Sequence, residues 1–206
     1  MSVRVAVLVS GGGTNLQALI DASKRGEMPH ASIQLVVSNV PNAYALERAE
    51  NAGIPACVCA KKGRGQQAFE EELIALLEQH EIEMIVLAGF LAILSKNFTD
   101  RYPNRILNIH PSLIPSFCGE GFYGLRVHEE ALKRGVKVTG ATVHFVNEIP
   151  DGGKILLQKA VEVREGDTPE VLQRRVMEEA EWKLLPRAAE MVAQQIEEEK
   201  NHEKPV

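Results

Sequence analysis

The stretch VRVAVLVSGGGTNLQALIDASK, residues 3–24, decides the fold. Its first part, Val3–Ser10, is an apolar run of the kind that forms a buried strand. Three glycines follow, and Asn15–Lys24 then carries apolar residues at helical spacing. A strand, a glycine turn and a helix in this order predict the first unit of a parallel sheet that helices cover on both faces.

The same alternation of strands and helices continues through the first half of the chain. Further strands are predicted at Ile33–Ser38, Pro55–Cys59, Met84–Leu87 and Ile106–Ile109, with helices at Ala43–Ala52 and Gln66–Gln79. The second half predicts a helix at His128–Arg134, strands at Lys137–Val146 and Lys154–Val163, and a helical stretch at Thr168–Lys200 that Pro186 kinks or divides. We therefore predict one α/β domain over residues 1–206, with three αβα layers, a Rossmann-like arrangement, a mostly parallel sheet and a frayed tail at 197–206.

Composition limits the classes of partner. The formal net charge of the 206-residue chain is -5, which argues against a nucleic-acid partner, since such proteins usually carry a basic face. The longest apolar stretch, Met84–Leu94, is shorter than the roughly 18 residues that a membrane span needs. Three cysteines and the lack of a secretory cleavage pattern after the first strand predict a cytoplasmic protein that acts on small molecules.

The glycine loop, residues 10–15, is the first candidate binding site. In open α/β sheets, ligands bind beyond the carboxyl ends of the strands, and free N–H groups at a helix start attract an anion. Gly13, Thr14 and Asn15 are therefore candidate phosphate ligands, and the last two can also cap the helix. Leu16 occupies the position where a dinucleotide fingerprint needs its third glycine, and no P-loop lysine follows. A tight turn with no ligand remains an alternative.

The segment LNIHPS, residues 107–112, carries the richest chemistry. Asn108 and His110 are two positions apart at a strand end, so their side chains leave the same face. An amide and an imidazolium aimed at one oxygen suit an acyl transfer that passes through an oxyanion. Asp151 is a candidate third member, because a carboxylate near His110 would raise the histidine pKa and keep the ring protonated near neutrality. Local backbone capping and an ordinary Asp-Gly-Gly turn are the alternatives.

With these residues identified, the chain resembles the phosphoribosylglycinamide formyltransferase family, the glycinamide ribonucleotide transformylases of purine synthesis. The resemblance runs from Val5 to about Pro186. It is carried by SGGGTNLQ at 10–17, VLAGF at 86–90, LNIHPSLIP at 107–115, VHFVN at 143–147 and DGG at 151–153. It implies the formyltransferase fold and transfer of a formyl group from 10-formyltetrahydrofolate to glycinamide ribonucleotide, with no metal.

The resemblance also implies a role for each candidate residue. Asn108, His110 and Asp151 look like the catalytic trio of the family, and the glycine loop in the N-terminal half looks like its phosphate site. Glu181 matches an acidic residue that holds ribose hydroxyls, although its acidic neighbours also suit a solvated helix face. The implied folate pocket, in the catalytic half, is formed by Phe90, Leu91, Ala92, Ile93, Leu94, Asn147 and Asp151.

Two departures and three rival functions remain at this stage. Ala92 stands where some relatives carry a larger basic residue, and the 116–124 segment is long and glycine-rich, either a mobile flap or a surface loop. His144 is interpreted as structural. The rivals are a formylfolate hydrolase, a transferase acting on a tRNA-linked amino acid, and a non-enzymatic binding protein. The resemblance implies that the hydrolase would carry an additional N-terminal domain, for which a catalytic domain starting at residue 3 leaves no room. The second rival would call for an additional C-terminal RNA-binding module and a basic surface, and the sequence predicts neither. Oligomeric state is left as monomer or homodimer.

Overall fold

A computed structural model describes residues 2–202 of the chain. In this part of the chain the strands are β1 Val3–Val9, β2 Ala31–Ser38, β3 Ala56–Val58, β4 Met84–Leu87, β5 Ile106–His110, β6 Val138–Phe145 and β7 Ile155–Glu162. The α-helices are α1 Thr14–Lys24, α2 Tyr44–Asn51, α3 Gln66–Gln79, α4 Lys96–Thr99, α5 Leu125–Arg134, α6 Pro169–Val176 and α7 Trp182–His202.

The seven strands form one sheet in the order β3-β2-β1-β4-β5-β6-β7. The first five strands run parallel, whereas β6 is antiparallel to β5 and β7 is antiparallel to β6. The order reverses between β1 and β4, and a crevice beyond the carboxyl ends of two such strands is the usual ligand position in sheets of this type. The glycine loop follows β1 and the segment 88–95 follows β4, so both border that crevice.

Strand β1 shows why the domain has three layers. Its side chains alternate between the faces of the sheet: Val5 and Val7 belong to the core under α1 and α7, whereas Ala6 and Leu8 belong to the core under α3. All four are almost fully buried. A strand buried on both faces explains the unbroken apolar run in the sequence.

Most predicted elements are confirmed, with ends that differ by a few residues. Three details differ from the predictions. Helix α5 begins at Leu125 and not at His128, and the short helix α4, which Ser95 caps by accepting from the Phe98 N–H, was not predicted. Thr14 and Asn15 do not cap α1: the N-cap is Gly13 in a left-handed conformation, with no side-chain cap bond.

The long C-terminal helical stretch is interrupted before Pro186, not at it. A π-helical turn at Met177–Glu181 separates α6 from α7, and Pro186 lies inside α7. Proline lacks an N–H and its ring crowds the carbonyl four positions earlier. It therefore disturbs the backbone hydrogen bonding of the turn that precedes it. The wider turn brings Glu181 to a buried position.

The fraying of the C-terminal tail at 197–206 stays a prediction. Helix α7 continues through His202, so 197–202 are helical, while 203–206 lie outside the described residues. Among the helices of residues 2–202, none is long and apolar enough to cross a membrane.

Candidate functional site

Asn108 and His110 lie at the end of β5, as predicted, and the antiparallel neighbour β6 adds a third polar side chain. His144 pairs with Asn108 across the two strands, so both side chains leave the same face. The Nδ2 of Asn108 lies 3.1 Å from Nε2 of His144. His144, interpreted as structural from the sequence, thus belongs to the polar cluster.

Asp151 is the centre of this cluster. Its Oδ2 lies 3.4 Å from Nδ1 of His110, and its Oδ1 lies 3.4 Å from Nε2 of His144. Asn108 also donates to Oδ1 at 3.4 Å. The sequence could not establish that Asp151 reaches His110, and the structure brings the two together.

The turn that carries Asp151 is specialised. The φ of Asp151 is 54°, in the left-handed region that costs a non-glycine residue roughly 1–2 kcal/mol. A Cβ atom added to Gly153 would lie 1.7 Å from the carbonyl oxygen of Phe145, so no other residue fits there. Such strain is typical of functional sites, because the surrounding structure must maintain it.

The segment 116–124 contacts both members of the histidine–carboxylate pair. His110 donates from Nε2 to the carbonyl oxygen of Phe117 at 2.8 Å, and the N–H of Gly119 donates to Oδ2 of Asp151 at 2.9 Å. The segment therefore covers the pair in this conformation.

Two opposing effects act on the pKa of His110. Burial lowers the pKa of His110 below its usual value, and the opposing effects of the Asp151 carboxylate and the Phe117 carbonyl do not compensate. Burial alone would raise the pKa of Asp151, but hydrogen bonding from His144, the nearby His110 and the Gly119 N–H together lower it. The Asp151 carboxylate thus favours the protonated imidazole that the sequence predicts, and burial of the ring opposes it.

A cavity of about 410 Å³, here called the glycine-loop cavity, lies beside this cluster. Its lining includes Ser10 to Asn15, Gly89, Leu91, Ile109, Pro111, Tyr123, His128 and Glu181. Gly13 has a φ of 73°, and a Cβ atom there would lie 2.6 Å from Cβ of Ala45, so α2 packs directly on the loop.

Glu181 and Asn15 meet at the floor of this cavity. Nδ2 of Asn15 donates to Oε2 of Glu181 at 2.7 Å, and both side chains are buried. Burial raises the pKa of Glu181 to about 7, with the Asn15 hydrogen bond opposing it. Within residues 2–202, the buried Oδ1 of Asn15 and both ring nitrogens of His128 have no hydrogen-bond partner. Unpartnered buried polar atoms beside a cavity are a sign of a polar ligand.

A second cavity, of about 120 Å³, lies on the other side of Leu91 and is here called the Phe90 cavity. It is lined by Phe90 to Leu94, Asn108, His144, Asn147 and Asp151, among others. Leu91 lines both cavities, and three apolar side chains, Leu91, Ile93 and Ile149, are more than half exposed. Three members of the polar cluster, Asn108, His144 and Asp151, thus line the cavity with the apolar wall, while Ile109 and Pro111 beside His110 line the glycine-loop cavity.

Comparison with known proteins identifies the family. The formyl transferase model matches residues 3–189. The phosphoribosylglycinamide formyltransferase of Haemophilus influenzae is 41% identical, over 89% of this chain and 84% of that protein. The chain belongs to the phosphoribosylglycinamide formyltransferase family.

Two further family members extend the comparison. A trifunctional purine biosynthetic protein of Gallus gallus is 47% identical over 93% of this chain, which spans 18% of the length of that protein. The crystal structure of glycinamide ribonucleotide transformylase 1 from Symbiobacterium toebii has a TM-score of 0.87 and 40% identity, over 94% of this chain and 89% of that one. The formyltransferase fold predicted from the sequence is therefore confirmed.

Three residues have contacts at the site that the sequence did not predict. His144 resembles a family position near the site, and its contact with Asn108 follows from the register of the two strands. His128 is fully buried on α5 beside the glycine-loop cavity. Ser10 receives a 2.8 Å hydrogen bond from the Leu91 N–H, which links the glycine loop to the 90–94 segment. No pattern of spacing marks these contacts, since each depends on the path of distant segments.

Among residues 2–202 there is no group of three or more His, Cys, Asp or Glu side chains that could hold a metal ion.

Proposed function

We propose that the chain transfers the formyl group of 10-formyltetrahydrofolate to the amine of glycinamide ribonucleotide in purine biosynthesis. The observation that carries the proposal is the position of the polar cluster beside both cavities: Asn108 and Asp151 line the Phe90 cavity, while Ile109 and Pro111, the neighbours of His110, line the glycine-loop cavity. Two ligands that bind on either side of Leu91 would meet at this cluster. The names of the family members support formyl transfer to glycinamide ribonucleotide.

The glycine-loop cavity is the proposed site of the ribonucleotide. Backbone N–H groups of Gly13, Thr14 and Asn15 at the start of α1 are suited to a phosphate, because the helix dipole favours negative charge there. Glu181 accepts from Asn15 through one oxygen, and its carboxyl group is suited to ribose hydroxyls. The acidic net charge of the protein is no obstacle, since these donors are main-chain groups.

The Phe90 cavity is the proposed site of the folate. Apolar side chains of Phe90, Ile93 and Leu94 would pack against a flat ring, while Ala92 is buried and Asn147 offers a polar group. The bound folate supplies an activated formyl group, the carbon that the amine attacks. The Phe90 cavity is small in this structure. The exposed side chains of Leu91, Ile93 and Ile149 would therefore form the rest of the surface that contacts the folate.

The cluster supplies the proposed chemistry. Asn108 donates an N–H to the oxyanion that forms when the amine attacks, which is the largest single contribution in reactions of this type. His110 takes up a proton as the neighbouring negative charge develops, which the Asp151 carboxylate favours and burial of the ring opposes. Asp151 stabilises that imidazolium. The bond between the formyl carbon and the folate nitrogen then breaks, and the departing nitrogen receives the proton that the amine has lost, so the reaction is neutral overall.

The test is to incubate the protein with 10-formyltetrahydrofolate and to follow loss of the formyl group with and without glycinamide ribonucleotide. Consumption that depends on the ribonucleotide, with formylated product, supports the proposal. Consumption at the same rate without the ribonucleotide would identify a hydrolase instead, and binding without turnover would reject the mechanism.

A further inference from the structure

The segment Phe90–Ser95, here called the partition, has no helix or strand of its own, yet it forms the apolar wall of the Phe90 cavity. Leu91 and Ile93 are more than half exposed on it, whereas Ala92 and Leu94 are buried. An irregular segment of this kind holds a defined shape only where its backbone groups find fixed partners.

Glu70 of α3 is the main partner of the partition. Its side chain is 6% exposed. Its Oε1 accepts from the Ser95 N–H at 2.6 Å, and its Oε2 accepts from the Ser95 hydroxyl at 2.5 Å. Within residues 2–202, no lysine, arginine or histidine side chain forms an ion pair with Glu70. The buried carboxylate is therefore stabilised by hydrogen bonds alone.

Gln66, one helical turn earlier, extends this contact. Its Nε2 donates to Oε1 of Glu70 at 2.6 Å and to the carbonyl oxygen of Ile93 at 2.9 Å. Ile93 is one of the two exposed apolar residues of the partition. The Gln66–Glu70 pair thus holds the partition at two positions, Ile93 and Ser95.

The opposite end of the partition is held by the glycine loop. The Leu91 N–H donates to Oγ of Ser10 at 2.8 Å, and Ser10 in turn donates to Oδ1 of Asn39 at 2.6 Å. The segment is therefore fixed at both ends before any ligand binds. Such preorganisation lowers the entropic cost of binding a ligand on the exposed face.

We propose that Glu70 and Gln66 are positioning residues that hold the partition in the shape that binds the formyl donor. Neither touches the Phe90 cavity, so each would act through the partition backbone. Desolvation of a carboxylate is expensive, and packing of α3 alone would be served equally well by an apolar side chain. The inference rests on the proposed function, because it takes the Phe90 cavity as the folate site.

Helix α3 contains a matched control for this proposal. Gln67 donates to Glu71 at 2.8 Å, in the same one-turn relationship as Gln66 and Glu70. Gln67 and Glu71 are both exposed, and among the hydrogen bonds of residues 2–202 neither side chain bonds to the partition. Substitutions in the two pairs change the same chemical groups on the same helix, but only the Gln66–Glu70 pair forms hydrogen bonds with residues 90–95.

The experiment compares Glu70→Ala with Glu71→Ala, and Gln66→Ala with Gln67→Ala, in steady-state formyl transfer. We expect Glu70→Ala to raise the KM for 10-formyltetrahydrofolate about tenfold, because a buried charged hydrogen-bond acceptor is lost. The KM for glycinamide ribonucleotide is expected to change less than about twofold, and both control variants are expected to match the wild type. Glu70→Gln, which keeps one acceptor oxygen for Ser95, is expected to recover most of the affinity.

The outcomes separate this inference from the proposed function. Equal increases in both KM values, or a fall in kcat with unchanged KM, would overturn the positioning role. Gln66→Ala removes a half-exposed side chain and tests the same role if Glu70→Ala fails to fold; an unchanged folate KM in that variant would also overturn it. A wild-type protein without ribonucleotide-dependent formyl transfer would instead reject the proposed function, whatever the variants do.

Discussion

Asn15 and Glu181 are 166 positions apart in the sequence, and they share a 2.7 Å hydrogen bond that joins the first helix to the turn before the last one. The bond leaves Glu181 buried without a cation, since within residues 2–202 its hydrogen bond comes from a neutral amide. This explains why burial dominates and raises the pKa of Glu181 to about 7.

The first prediction concerns the pH dependence of stability. A carboxyl group whose pKa is raised on folding binds its proton more tightly in the folded protein. Its contribution to stability is therefore lost as pH rises from about 4.5 to about 7, by on the order of 2–3 kcal/mol. The glutamine of Glu181→Gln does not titrate. The Tm of this variant minus the Tm of the wild type should therefore be roughly 5–10 °C larger near pH 8 than near pH 5. Glu178→Gln, exposed on the same turn, is the control, and equal behaviour of the two variants would contradict the prediction.

The second prediction concerns the oxyanion donors. Asn108→Ala and His110→Ala should each lower kcat on the order of 100-fold, the scale expected when one donor is removed from an oxyanion site. Stopped assays at saturating concentrations of both substrates measure this directly. A loss of less than about tenfold in both variants would rule out the assigned roles.

The third prediction concerns the titration of His110. Burial lowers its pKa, so an NMR titration of the ring should give a midpoint below about 6.5 in the free protein. Asp151→Asn removes a charge that favours the imidazolium, and it should shift that midpoint to still lower pH. A midpoint above neutrality, or an upward shift in the variant, would show that the carboxylate dominates after all.

The fourth prediction concerns the glycine loop. Gly13→Ala places a Cβ atom against Ala45 and forces a non-glycine residue to a φ of 73°, so it should destabilise the fold by about 2 kcal/mol or more. Calorimetry should show a Tm lower by roughly 4–8 °C. Gly11→Ala meets no atom within 4 Å and should leave the Tm almost unchanged. Similar Tm values for the two variants would show that α2 can move away from the loop.

The sequence predicted those features that depend on local pattern. The doubly buried strand β1 is visible as an unbroken apolar run, and the glycine loop is visible because it interrupts that run before a helix. Asn108 and His110 could be found because strand geometry places alternate side chains on one face. These inferences need only neighbours in the sequence.

The remaining features depend on contacts between distant segments. The direction of the pKa shift of His110 could not be predicted, since it follows from how deeply the surrounding segments bury the ring. His144 required the β5–β6 register, and the buried position of Glu181 required the π-helical turn. The capping role expected of Asn15 was wrong because its side chain turns to Glu181 instead of the helix backbone.

The reversal of strand direction after β5 has a consequence for how this site is encoded. Because β6 returns beside β5, all four members of the polar cluster, Asn108, His110, His144 and Asp151, come from one continuous segment, residues 106–153. The glycine-loop cavity, by contrast, combines the two ends of the chain, through Asn15 and Glu181, with residues of that same segment such as Ile109 and His128. Exchange of this one segment between two proteins of the same fold should therefore carry over all four reactive groups at once, together with one wall of the glycine-loop cavity, while the Asn15–Glu181 pair stays with the recipient.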